Sequence, residues 1–348
     1  MASRVSQFSI SICILEERQT EEKEKTPMIT IDMHSHIEIR EVFALLPEAP
    51  PPRRNESLHV QAYSEKEARD QLSNPDRRIA DMEKAGISMT ILSNAPGQFL
   101  YNLEGNLAVD VSRKINDGIA AIGQRYPTKL LGMAHVPLQN IEASVSELER
   151  AVRDLKLKGV HVASNVMGRY LGDRSFLPFF EKVAALDVPV FVHPTNVAGA
   201  DRMREYYFGN LIGNPLDTTI AAGTLIFSGI FDRLPGLKII LAHAGGFLPY
   251  NIDRWSHGFV VRPECREFLK NSPEMYMKHF YYDTISHGPV TLRFLISRVG
   301  AERVLMATDY PYDMGDMTPL QSIQAAKLSA RDKERILSKN CHSLFKIG

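Results

Sequence analysis

The chain has 348 residues, 44% of them hydrophobic, enough for a large core in either one big α/β barrel or two ordinary domains. Lys and Arg total 41, as do Asp and Glu, so no basic excess tracks a nucleic-acid backbone, and no stretch reaches the roughly 20 apolar residues of a membrane-spanning helix. Three scattered cysteines, Cys13, Cys265 and Cys341, lack CxxC spacing and suggest neither a disulfide framework nor a cysteine-based zinc site, which fits a reducing, cytoplasmic location.

Residues 1–27 read as a poorly ordered N-terminal extension. The run FSISICIL (8–15) is short, is followed by the charged EERQTEEKEK (16–25), and has no small-residue cleavage site, so it is not read as a secretory signal. From Met28 onward one domain is expected, in which β-rich apolar runs alternate with amphipathic stretches. Eight such strands follow in order: ITIDMHSH (29–36), SMTILSN (88–94), LLGMAHVPL (130–138), GVHVAS (159–164), PVFVHP (189–194), LKIILAHAG (237–245), FYYDTISH (280–287) and RVLMATDY (303–310). Helical periodicity marks RRIADMEKAG (77–86), ASVSELERAVRDLK (143–156) and FLPFFEKVAAL (176–186) between them. Eight βα units with nearly continuous apolar strands point to a (β/α)8 TIM barrel, with a doubly wound open sheet as the alternative. Two connections are long: 37–76 after the first strand, Pro-rich at PEAPPP (47–52), and 195–236 after the fifth, with a helix-like run at 215–229.

A parallel barrel presents its chemistry at the C-terminal ends of its strands. Those ends carry His34 and His36 on the first strand, His193 on the fifth, His243 on the sixth, His287 on the seventh and Asp309 on the eighth. A lone histidine is more often a satisfied core residue than a ligand, and an HxH pair by itself is a weak signal. Four strands with terminal histidines and one with a terminal aspartate change that balance, because all converge on one mouth. His34 and His36 share a strand face and can grip one ion. With His193 and Asp309 they offer three nitrogens and one hard oxygen, a set that suits Zn²⁺ with an open position, Mn²⁺ and iron being alternatives. Asp309 can also act as a proton acceptor beside the ion. His243, in LAHAGG (241–246), is assigned to proton transfer before ligation. Strand four ends in Ala163, Ser164 and Asn165, with no bridging lysine, so one metal is expected rather than two. His135 and His161 read as packed interior residues, and His59, His257, His279 and His342 as surface or structural ones.

The segments IDMHSH (31–36), RIADMEKAGI (78–87), VPLQN (136–140), VFVHPTN (190–196), LAHAGGFLPY (241–250) and LMATDYPY (305–312) together resemble the amidohydrolase-2 family, in particular its decarboxylases of aminocarboxymuconate semialdehyde and aromatic acids. The resemblance implies one divalent metal held by His34, His36, His193 and Asp309, with His243 handling the proton. It also implies nonoxidative loss of CO₂ from a small unsaturated or aromatic carboxylic acid, and a homodimer. The alternative is a hydrolase or hydratase using metal-bound hydroxide, since one barrel hosts many chemistries. Where the family holds substrate carboxylates with arginine, this chain places Lys66 and Asn251, with Arg69 and Arg254 nearby; His287 and Asn196 are the expected substrate contacts.

Overall fold

The computed structural model describes residues 29–47 and 65–348, with side chains in the second segment described from Glu67 onward. The expected N-terminal extension, the Pro-rich run and Lys66's side chain therefore lie outside the described residues. Eight parallel strand positions follow the sequence order: β1 (Ile31–Ile37), β2 (Met89–Asn94), β3 (Leu130–Gly132, resuming at Ala134–His135), β4 (Val160–Ala163), β5 (Val190–His193), β6 (Ile239–Leu241), β7 (Phe280–Asp283) and β8 (Val304–Leu305). Each pairs in parallel with its sequence neighbour. Gly132 ends the segment that pairs with β2, and Ala134 opens the one that pairs with β4. The ring closes between β8 and β1, where Met33 N donates to Met306 O at 3.0 Å, Asp309 N to His34 O at 2.8 Å and His36 N to Tyr310 O at 2.9 Å. The fold is a TIM barrel.

Two separate apolar clusters follow from this closure. Ile31, Met33, Ile91, Met133, Phe191, Ile240, Ala242 and Leu305 fill the barrel, and Cys341, Leu344 and Phe345 of the C-terminal helix Asn340–Phe345 join them. Alternate strand residues such as Leu92, Val160, Val190, Val192, Ile239 and Leu241 face outward into the larger cluster shared with the helices. Helix starts follow local chemistry. Asn74 caps Pro75–Lys84 by accepting from Asp76 N and Arg77 N, with Pro75 at the first turn, and Asn140 caps Ile141–Arg153 by accepting from Ala143 N. The expected helix after the fifth strand spans Asn214–Phe227.

The regular strands are shorter than the apolar runs suggested. The sixth run, for example, leaves β geometry after Leu241, and His243–Gly245 form a tight helical turn. Asn196, His243, His287 and Asp309 all have positive φ, between 49° and 56°. The strand ends that carry the chemistry thus bend away from the ladder. An unexpected antiparallel hairpin, Asn165–Val166 with Arg169–Tyr170, follows β4.

Candidate metal centre at the barrel mouth

β1 reaches the site by means of a bulge. Along its pairing with β2, Asp32 faces Thr90 but Ser35 faces Leu92, so three steps on one strand match two on the other. The extra residue shifts the side-chain parity. Ile31 and Met33 point into the barrel, yet so do His34 and His36, while Ser35 turns outward to the buried Arg78. Asp32 holds the bulge by accepting from Thr308 N at 3.0 Å, Thr308 Oγ1 at 2.7 Å and His34 N at 3.3 Å. Arg78 also donates to His36 O and stacks on Tyr310.

Inside the mouth the imidazoles gather. Ring centroids of His34 and His193 lie 5.1 Å apart, those of His36 and His193 4.8 Å, and those of His193 and His243 5.2 Å. The ligating atoms of His34, His193, His243 and Asp309 all fall within 4.8 Å of one another. His36 Nε2 belongs to the same hub, 3.0 Å from His34 Nε2 and 3.1 Å from Asp309 Oδ1. His243 Nε2 stands 3.4 Å from Asp309 Oδ2.

The outer nitrogens are already committed. His34 Nδ1 contacts Asp283 Oδ2 at 2.7 Å, His36 Nδ1 the Asn94 carbonyl at 3.2 Å, and His193 Nδ1 the Pro194 carbonyl at 3.0 Å. These acceptors place the proton on Nδ1 and leave the Nε2 lone pair facing the hub. His193 Nε2 and Asp309 Oδ1 are buried with no hydrogen-bond partner. Orphaned donors of this kind fit a divalent cation.

Electrostatics lead to the same conclusion. Burial presses the His34 imidazole down, but Asp309 and Asp283 outweigh it and lift it to about 10. Burial pushes His36 down to about 4, and burial with the surrounding imidazoles holds His193 well below its ordinary value. Burial favours a neutral Asp309, yet His34, His243 and His36 together keep its carboxyl well below the usual range. An ionised carboxylate thus faces His36 and His193 held toward their neutral forms, a donor set that fits a divalent cation.

All five strand-end residues read from the sequence as ligands or proton carriers, His34, His36, His193, His243 and Asp309, meet here. His287 and Asn196 sit on the loops after β7 and β5 with exposed side chains, and neither side chain hydrogen-bonds to the hub. Asn251 is half-buried and Arg254 exposed on the helix Leu248–Val261. Burial pushes the Glu38 carboxyl up, against the pull of Arg40 and Arg69. His135 and His161 are interior as expected. His279 is also buried, its ring 4.5 Å from that of Phe231.

Four residues at the site carried no sequence assignment: Asp32, Arg78, Asn94 and Asp283. Asp283 had the same signal as the rest, a polar residue closing a strand, but His287 four positions on drew the assignment instead. Apart from the local bond of Asp32 to His34 N, Asp32, Arg78 and Asn94 act through contacts across 42 to 276 residues of chain, which no local pattern records.

The amidohydrolase family model matches residues 31–347. The chain belongs to the amidohydrolase family. The 2-amino-3-carboxymuconate-6-semialdehyde decarboxylase of Dictyostelium discoideum is 37% identical over 268 residues, covering 76% of this chain and 75% of the relative. A gamma-resorcylate decarboxylase of Polaromonas sp. is 31% identical over 287 residues, 78% of this chain and 87% of the relative. The crystal structure of a dihydroxybenzoic acid decarboxylase from Polaromonas sp. JS666, with bound manganese and the inhibitor 2-nitroresorcinol, superposes with a TM-score of 0.79 at 28% identity, covering 91% of this chain and 97% of that one. In class, this amidohydrolase is a metal-dependent decarboxylase, a carbon–carbon lyase. Its cofactor is a divalent metal ion.

Proposed function

We propose that this amidohydrolase removes CO₂ without oxidation from a phenolic or unsaturated carboxylic acid. His34, His36, His193 and Asp309 hold one metal in this reading, and His243 with Asp309 moves the proton. The observation that carries it is the convergence of imidazole Nε2 atoms and the unpartnered Asp309 Oδ1 on one buried point. A divalent cation there supplies Lewis-acid polarisation of the substrate's oxygens. The side chains do the rest. The bond from the substrate carbon to its carboxylate breaks, the electron pair stays on carbon, and a proton takes the carboxylate's place. His243 Nε2, 3.4 Å from Asp309 Oδ2, is placed to deliver that proton, with Asp309 exchanging it. Buried walls of His34, His36, His161 and Phe191 exclude water below the reacting carbon.

Zn²⁺ is the first candidate from the donor set, and the manganese in the Polaromonas structure supports Mn²⁺ as the alternative. Asn196 and His287 are proposed as substrate contacts reached from the mouth. A single domain over 28–348 and a homodimer joined through the 195–236 excursion complete the reading. The free Cys265 and Cys341 support a cytoplasmic location. Among the described residues no helix is long and apolar enough to cross a membrane. The test is CO₂ release from hydroxybenzoates and carboxymuconates by metal-loaded protein. Hydrolysis of lactones or amides without CO₂ would replace decarboxylation by the hydrolase reading.

A further inference from the structure

We propose that Asp283 is a positioning residue that sets His34 and His243 together, so that metal affinity and turnover both depend on one buried carboxylate. The inference rests on the roles given above to His34 as ligand and His243 as proton carrier. Asp283 closes β7 and is fully buried. Its two oxygens receive four N–H groups. His34 Nδ1 at 2.7 Å and His243 N at 2.8 Å reach Oδ2, while Ala244 N at 2.7 Å and Ile285 N at 3.1 Å reach Oδ1. A carboxylate has about four acceptor sites, and here all are used.

The two halves of that set do different work. Donation from His34 Nδ1 fixes its tautomer and turns the Nε2 lone pair to the hub. The other half acts on backbone. His243 and Ala244 both have φ of 55°, a left-handed conformation unfavourable to any residue with a Cβ. Consecutive N–H groups at such a turn form a concavity for an anion, and Asp283 fills it. Holding the turn aims the His243 ring, whose Nε2 then stands 3.4 Å from Asp309 Oδ2.

An amide in this place has one acceptor oxygen and turns an NH₂ group against donors. The experiment compares the wild-type chain with D283N and with H243Q and D283N/H243Q. Calorimetric titration of the metal-stripped proteins with Mn²⁺ should show a dissociation constant about 10- to 100-fold higher in D283N. At saturating Mn²⁺, kcat for CO₂ release should still be down by about 10-fold or more with KM little changed. In the H243Q background D283N should weaken Mn²⁺ binding as before and lower kcat no further. Unchanged Mn²⁺ affinity, or full recovery of kcat at saturating Mn²⁺, overturns the proposal.

Wild-type protein that binds Mn²⁺ but decarboxylates no acid counts against the decarboxylase reading instead. Amide hydrogen exchange then decides the His243 half: protection at His243 and Ala244 that falls about tenfold or more in D283N supports it, and equal protection overturns it. If D283N does not fold, the wild type decides. Slow exchange at those two amides and at His34 Nδ1–H supports the proposal, and exchange as fast as in an open loop overturns it.

Discussion

His193 and His243 face each other across 5.2 Å between ring centroids, yet they are held in different ways. His193 has its Nδ1 tied to a carbonyl and its Nε2 orphaned, the arrangement of a ligand. His243 has its backbone clamped and its Nε2 turned to Asp309, the arrangement of a proton carrier. His193→Ala is therefore expected to lose metal on gel filtration. His243→Ala is expected to keep stoichiometric metal while kcat falls by about 100-fold or more; elemental analysis beside CO₂ assays checks both, and the opposite pattern means the roles are exchanged. His135 makes a prediction away from the hub. Its Nδ1 meets Ser112 Oγ at 3.0 Å and its Nε2 the Phe99 carbonyl at 3.1 Å. Burial pushes this imidazole from about 6.5 down to about 4. A depressed histidine contributes stability that is fully present above its unfolded value and is lost as pH falls through the folded one. Wild-type stability should thus decline by on the order of 3 kcal/mol between about pH 6.5 and pH 4 through this residue. Urea melts of His135→Gln should lack that acid-side component, and parallel pH curves for the two proteins would refute it. At this scale the sequence named the hub residues because each ends a strand, and missed their supports because those lie far away along the chain.

The four helices named from the sequence were placed to within three residues, since caps such as Asn74 and Asn140 and a 3.6-residue period are local signals, while others such as Gly105–Arg125 and Leu248–Val261 were not named. Strand ends were over-extended. The apolar runs continue past the last ladder bond into turns such as His243–Gly245, where the chain is apolar but no longer extended. Gly245 and Gly246 make that turn passable. Gly246 has φ of 60° and ψ of −126°, and a Cβ there would meet the Pro215 carbonyl and Thr219 Oγ1. Gly246→Ala should cost about 2 kcal/mol or more by clash and strain together. Because the same turn aims His243, kcat should fall as well; denaturant melts and CO₂ assays check both, and a variant of wild-type stability would show that the turn yields freely.

Across the molecule, the site depends on closure. The hub draws residues from the ends of β1, β5, β6 and β8, and the bonds from Met33, His36 and Asp309, with those of Thr308 to Asp32, join β8 to β1 and bring its edges together. Below it, Phe191 lies 4.7 Å from the His34 ring and 5.0 Å from that of His161, so the inner core and the site share a wall. A cation held, as proposed, by residues of three distant segments stabilises the folded state alone. Chelation should therefore abolish CO₂ release and lower the Tm, by an amount corresponding to about 2.7 kcal/mol when free metal had stood at 100 times its Kd. Adding back Mn²⁺ or Zn²⁺ should restore both. An unchanged Tm after chelation would show that the hub carries its charge without metal.

The sequence by itself determined the class of fold and the residues that meet at its mouth, because eight apolar runs with polar ends are a local pattern repeated along the chain. Tertiary structure alone decided how they meet. The bulge between Asp32 and Ser35 turns His34 and His36 inward on the same side as Met33, and a regular strand would have kept only one parity inside. The Asp283 carboxylate likewise finds three of its four donors only after β1, β6 and β7 are assembled. The reason is physical. Periodicity and capping act between residues a few positions apart, whereas a bulge and a buried carboxylate are fixed by partners dozens to hundreds of residues away.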